Sequence, residues 1–208
     1  MNDLEKVLEI IDNNLYSKYK KLVDELEDKV YPNINESLAV DYGIYTNHNK
    51  EHFDLVIEQA GHILKVKEIL QIVYKENDIE KLNTEGRKKF FFLNSLELFI
   101  LLCAIRVHDI GLIIDRENHA TNILYTMSIL KIDNISNVVK QVISKIATAH
   151  TGSKEGEKDT IKILDKMIAI KNQYVRPQTL AAILRFSDEL EEGEHRTSLT
   201  NIITGKIK

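Results

Sequence analysis

The sequence predicts an all-α fold built as one domain, on three observations. Apolar residues recur at spacings of three, four and seven through one segment after another, the stripe that lets a helix bury one face. One run, Leu96 to Val107, is apolar almost all round and reads as a helix enclosed by the others. The chain holds only two prolines and eight glycines in 208 residues, few interruptions for a helical chain. That length is enough for one large core.

The elements follow in order. Residues 3–30 carry Leu4, Val7, Leu8, Ile11, Leu15, Leu22 and Leu26 on one face, giving one amphipathic helix or two, closed by Pro32. Residues 33–50 are polar and irregular and read as a loop. Asn49 is suited to cap a helix with His52 in its first turn, running to about Tyr74. Phe53, Val56, Ile57, Ala60, Ile63 and Leu64 form its buried stripe. Residues 75–93 are charged and read as a connection turning at Gly86-Arg87-Lys88-Lys89. Asn94 or Ser95 then caps the central apolar helix, which Gly111 is placed to stop in a left-handed cap. A loop from Leu112 to Asn118 leads into a helix beginning near His119. Asp133-Asn134 marks a turn, and Ile135 to Ile146 give a further helix ending at Ala147-Thr148-Ala149-His150. After the polar loop Thr151 to Gly156, a shorter helix is expected over roughly Asp159 to Ile170. Pro177 suits the first turn of a final helix carrying Leu180, Ala181, Ile183, Leu184 and Phe186, then Ser187 and Asp188. The tail from Asn201 has no stop signal, which leaves room for the protein to continue past Lys208.

Composition narrows the function. Lysine and arginine total 28 against 32 acids, a formal charge of -4, and aromatic residues make up 7%. That balance argues against a general nucleic-acid binder, which needs a basic face. The single Cys103 lies within the apolar run, where it reads as a small core residue with no internal disulfide partner. The longest apolar run is far shorter than the roughly 20 residues that span a bilayer, and no signal peptide is visible, so a cytoplasmic protein is expected.

The chemistry gathers where apolar helices end. His48, His52, His108, His119 and His150 fall at helix ends or loops beside apolar helices, and Asp109 and Asp188 border strongly apolar segments. One buried histidine is usually a satisfied core residue; several beside buried carboxylates are harder to accommodate without a cation, because a buried carboxylate is costly unless paired or coordinated. Imidazole and carboxylate ligands suit Mn, Fe, Co, Ni or Zn, and carboxylates with water admit Mg. Residue types and spacing thus point to a helical metalloprotein, with hydrolysis as an activity that such a ligand set suits. His62 and His195 belong to no such pattern and read as surface residues.

The order His52, then His108-Asp109, then Asp188 resembles the H…HD…D signature of the HD-domain metal-dependent phosphohydrolases. The contexts are similar as well: Glu51-His52-Phe53-Asp54-Leu55-Val56, Val107-His108-Asp109-Ile110-Gly111, and Leu180 through Leu190 around Asp188. The likeness runs from about residue 45 to 196. The lead-in Tyr45-Thr46-Asn47-His48 and the ending Asp188-Glu189-Leu190 look most like a bacterial branch in which the HD domain is part of a larger protein. The implied organisation is a helical extension over residues 1–32, packed on an HD-type bundle over 33–208 with a metal site in its core.

The resemblance also implies roles. His52, His108, Asp109 and Asp188 would hold one divalent metal. His119 and His150 match positions where some branches add histidines, for catalysis or for a second ion about 3.5–4 Å from the first. Capping the following helix is the structural alternative for His119. Asp109 would in addition position the metal-activated water. His48 and Arg185 are candidate substrate contacts, Arg185 alternatively pairing with Glu189 one turn on; Lys154 is a weaker candidate. Two departures narrow the likeness. Leu112 stands where many active relatives have lysine after the His-Asp-x-Gly segment, and His150 lacks the double histidine of the cyclic-dinucleotide phosphodiesterase branch. The implied activity is that of a phosphomonoesterase or phosphodiesterase acting on a nucleotide or other phosphorylated small molecule, without a membrane and with oligomerisation left open. The alternatives are a catalytically silent HD scaffold binding a nucleotide or partner protein, and a nuclease on single-stranded nucleic acid.

Overall fold

The computed structural model describes residues 1–34, 50–76, 93–115, 117–130, 135–151 and 159–191. Helix α1 (Asp3–Ile11) starts with the Asn2 N–H donating to Glu5 Oε2 at 2.8 Å. Asp12 ends α1 and begins α2 (Asn13–Lys29): its own N–H reaches the Leu8 carbonyl, and its carboxylate accepts from the Leu15 N–H at 3.0 Å. The amphipathic stretch is therefore two helices. Pro32 does not close the second one. It lies inside a further helical turn over residues 31–34, where a missing N–H costs nothing in a first turn.

The single helix expected from His52 to Tyr74 is instead α3 (Lys50–Ile63) and α4 (Val66–Glu76). Between them Lys65 takes a left-handed conformation, φ 53°, with its N–H on the His62 carbonyl at 3.1 Å. The reason lies in the phase of the stripe. Phe53, Val56, Ile57, Ala60 and Leu64 are buried, yet the next positions on that face are Lys67 and Glu68. Val66, Ile69 and Leu70 are buried instead. The left-handed residue, costing roughly 1–2 kcal/mol outside glycine, re-aims the chain so that both stripes meet the core.

Helix α5 (Ser95–Val107) is enclosed, with every residue from Leu96 to Val107 buried. Asn94 caps it: the side chain accepts from the Glu97 N–H at 2.9 Å while Glu97 accepts from the Asn94 N–H at 3.1 Å. A 3-10 turn (Ile110–Ile113), α6 (His119–Ile129) and α7 (Asn137–Thr148) follow. The short helix expected over Asp159 to Ile170 does not form. After a series of turns the chain makes an antiparallel hairpin, β1 (Ile168–Ile170) with β2 (Gln173–Val175), registered Ile168 opposite Val175 and Ile170 opposite Gln173. Lys171, at φ 53°, and Asn172 form the two-residue turn that such a pairing needs. Pro177 then opens α8 (Pro177–Glu191), as its fixed φ favours.

Helix α5 contacts α1, α2, α3, α7 and α8, and α3 lies against α8. Helices α1 and α2 share this core through Leu4, Val7, Leu8, Tyr19, Leu22 and Leu26. They also meet α5 through charge. Arg106, buried at its last turn, donates to the Tyr19 hydroxyl (2.9 Å), Glu5 Oε1 (3.0 Å) and Asp54 Oδ1 (2.6 Å). The Tyr19 hydroxyl in turn donates to Glu5 Oε1 at 2.6 Å. A second pair joins buried Glu97 to half-buried Arg176 beside the hairpin, with two contacts of 2.7 Å.

Burial alone would raise the Glu5 carboxyl pKa, but the Tyr19 hydroxyl, the Asn2 N–H and Arg106 outweigh it and hold the group below the usual range. The ionised form therefore stabilises the fold above the unfolded-state value of about 4.3, and this is lost as pH falls through the lowered native value. Glu5→Gln is expected to cost about 2 kcal/mol at pH 7 in urea unfolding. The difference from wild type should shrink in acid.

Candidate metal centre

Five helix ends deliver the side chains of the centre. His108 and Asp109 leave the C-terminus of α5, His150 that of α7; His119 is the first residue of α6; His52 lies in the first turn of α3 and Asp188 in the last turn of α8. Asp109 sits at φ -109°, ψ 4°, the bridge region where a helix turns out of register.

Gly111 is not the left-handed cap that its position suggested. It lies within the 3-10 turn, and its conformation is not left-handed. Its lack of a side chain serves a close approach: a Cβ there would fall 1.9 Å from the His119 carbonyl oxygen. The backbone of α6 thus seats directly on the turn after His108-Asp109, bringing His119 to the centre.

Asp109 divides the site in two. Its Oδ2 lies 3.0 Å from His108 Nε2 and 3.7 Å from His52 Nε2; its Oδ1 lies 3.5 Å from both His119 Nε2 and His150 Nε2. Asp188 Oδ1 closes the first half, 3.5 Å from His52 Nε2 and 3.6 Å from His108 Nε2, and those two imidazole nitrogens are 3.4 Å apart. In the second half the His119 and His150 Nε2 atoms are 3.3 Å apart. Ligands about 2.0–2.2 Å from a common ion stand about 3.0–3.6 Å from one another. The spacing and the donor set therefore fit a divalent cation. Ligand atoms of His52, His108 and Asp188 all lie within 4.8 Å of one another, as do those of His108, Asp109 and His150, so these buried groups can hold a metal ion.

The rings are held from behind. His108 Nδ1 lies 2.8 Å from the Ile105 carbonyl and His150 Nδ1 2.6 Å from the Ala147 carbonyl, each three residues back on its helix. His52 Nδ1 lies 2.8 Å from Glu191 Oε2, which is buried. The sequence reading missed Glu191; the signal available was its place three residues after Asp188, on the same helical face. Phe53 packs edge-on to His108 (centroids 5.4 Å) and stacks on Tyr31 (4.8 Å), whose hydroxyl donates to the Arg106 carbonyl at 3.2 Å.

The polar groups shift one another strongly. Burial opposes protonation of His108, but Asp109 and Asp188 beside it outweigh this and raise its pKa well above the ordinary imidazole value. Burial opposes ionisation of Asp188, yet His108 holds its carboxyl well below the usual range.

The remaining candidates are placed as follows. Arg185 points its guanidinium at backbone, donating to the carbonyls of His150 (3.1 Å) and Thr151 (2.7 Å). It makes no pair with Glu189. His48, Lys154 and His195, and the cap at Asn49, lie outside the described residues. His62 is exposed on α3, 4.0 Å from Glu58. Cys103 is buried in the core. Leu112, in place of the lysine, is buried and adds no polar group to the site. No helix among the described residues is long and apolar enough to cross a membrane.

A family model described as HD-CE matches residues 42–203, most of the chain. No curated protein and no solved structure matches.

Two outcomes are expected. Gly111→Ala should push the start of α6 outward and destabilise the protein by about 1–3 kcal/mol, measured by thermal or urea unfolding. Metal uptake near pH 7 should release about one proton, because His108 must give up the one shared with its two carboxylates. Calorimetry in buffers of different ionisation enthalpy measures that number.

Proposed function

The chain belongs to the HD-CE family, and on that premise we propose that it is a metal-dependent phosphohydrolase acting on a nucleotide or another phosphate ester. The observation that carries this reading is the division of Asp109 between two sets of histidines, Oδ2 toward His108 and His52, Oδ1 toward His119 and His150. His52, His108, Asp109 and Asp188 hold one divalent ion, drawn from Mn, Fe, Co, Ni, Zn or Mg. Such an ion supplies Lewis acidity, polarising a phosphoryl oxygen and lowering the pKa of a water.

The protein's own side chains do the rest. Asp109 orients the attacking water through its second oxygen; an ionised carboxylate engaged on both sides is a poor free base, so positioning is its role. His119 and His150 face that same oxygen and are placed to hold charge that develops on the phosphate, or to bind a second ion. His119 is the more exposed of the two, with 20% of its side chain accessible against 7% for His150, and so lies nearer the entry. Arg185 supports them from behind by holding the His150 and Thr151 carbonyls. His48 is retained as a candidate substrate contact.

The test is turnover of mononucleotides, nucleoside triphosphates, cyclic nucleotides and an aryl phosphate with each metal in turn. Activity should require metal, vanish with a chelator and fall to background in Asp109→Ala. His119→Ala and His150→Ala should each lower kcat by about 10²-fold or more while leaving the first ion bound. A folded, metal-loaded protein that binds nucleotide without turning over any substrate would instead be a silent HD scaffold. Metal-dependent cutting of single-stranded oligonucleotides would make it a nuclease.

A further inference from the structure

His108 and His150 both follow the C-termini of helices, where backbone carbonyls are left without intrahelical partners. Each ring uses one: the Ile105 carbonyl lies at Nδ1 of His108, and the Ala147 carbonyl at Nδ1 of His150. Their Nε2 atoms consequently face the centre. His52 is in the opposite position. It lies in the first turn of α3, and the groups left over at that end of a helix are N–H donors. The helix end that presents His52 therefore offers no free carbonyl acceptor for its ring.

Glu191 supplies the acceptor. It is the last residue of α8, three beyond Asp188, and lies on the face of α8 that packs against α3. Its side chain is buried, with 4% accessible, and Oε2 stands 2.8 Å from His52 Nδ1. A carboxylate there fixes the proton on Nδ1, so that Nε2 carries the free lone pair directed at Asp188, Asp109 and His108. The same helix thus provides a carboxylate facing the centre and, one turn on, a carboxylate behind the histidine.

We infer that Glu191 is a positioning residue of the metal centre, fixing the tautomer and orientation of His52 so that its Nε2 serves as a ligand. The inference rests on the metal-dependent reading above. A carboxylate rather than a carbonyl also adds negative charge behind the imidazole and makes it a stronger donor to a cation.

The experiment has two readouts on the full chain. The first is the tautomer of His52 in metal-free protein, from the ring ¹⁵N shifts assigned by comparison with His52→Gln. The second is affinity for Mn²⁺ and Zn²⁺ by calorimetry. In wild type, His52 should be the Nδ1–H form. Glu191→Leu should release it toward the Nε2–H form and weaken metal binding about 10- to 100-fold. Glu191→Gln, which can still accept from Nδ1–H but is neutral, should keep the tautomer and lose less affinity. Should Glu191→Leu fail to fold, Glu191→Gln and Glu191→Ala carry the same comparison. Unchanged tautomer and affinity in a folded Leu or Ala variant would overturn the inference and leave the metal centre standing. Absence of metal binding by wild type would overturn the metal-dependent reading and, with it, the role of Glu191 in ligation.

Discussion

A carboxylate buried at the end of an apolar helix is the constraint on which the centre depends. Helix α5 is enclosed on all sides, so Asp109 emerges where water cannot solvate it. Buried charge must be compensated locally, and here four imidazoles converge on its two oxygens. Four other helices have an end at this point, and that convergence sets how they pack: α3 against α8, α7 against α5, α6 against the turn that follows Asp109. Asp109 and Asp188, the two carboxylates beside His108, also raise its pKa against the opposing effect of burial.

A second buried charge acts at the other end of the problem. Arg106 lies two residues before His108 and is enclosed by Glu5, Tyr19 and Asp54. It fastens α1 and α2 to the very turn that delivers the metal-facing pair. The rings of Tyr31, Phe53 and His108 run alongside as a packed series. Buried ion pairs add little net stability against well-packed apolar residues, because desolvation offsets the attraction. What this network does provide is register: Nε and Nη2 of Arg106 find their partners on three other elements only when the last turn of α5 is set in this one arrangement.

Much of this was legible in the sequence because it sits at abrupt changes of polarity. An apolar run ending in His108-Asp109, or one ending in Ser187-Asp188, marks a helix end aimed inward, and Asn94 with Glu97 announces where α5 begins. The family resemblance then supplied the order in which those ends meet. Other features carry no such mark. Lys65 breaks a helix without glycine or proline, and only the shift of the stripe from Leu64 to Val66 betrays it. Ile168, Ile170 and Val175 alternate as a strand does, but over too few residues to compete with helical spacing. Gly111 reads as a cap because close backbone approach leaves no trace in one chain. Glu191 looks like part of an acidic, solvated helix end, since its partner lies far away in sequence. Spacing along α8 leaves Arg185 between a substrate contact and a pair with Glu189, and cannot show that it reaches the carbonyls of His150 and Thr151 beyond α7.

The N-terminal helices have a practical consequence for drawing the edges of this protein. The family model begins at residue 42, after both of them. A fragment cut there would keep every residue of the H…HD…D signature. It would also strip Glu5 and Tyr19 from a buried guanidinium and Tyr31 from Phe53, and uncover the side of the core that Leu8, Leu22 and Leu26 now close. The unit recognisable by its motifs is thus smaller than the unit that can bury its own charges, and expression boundaries are better placed by the second than by the first.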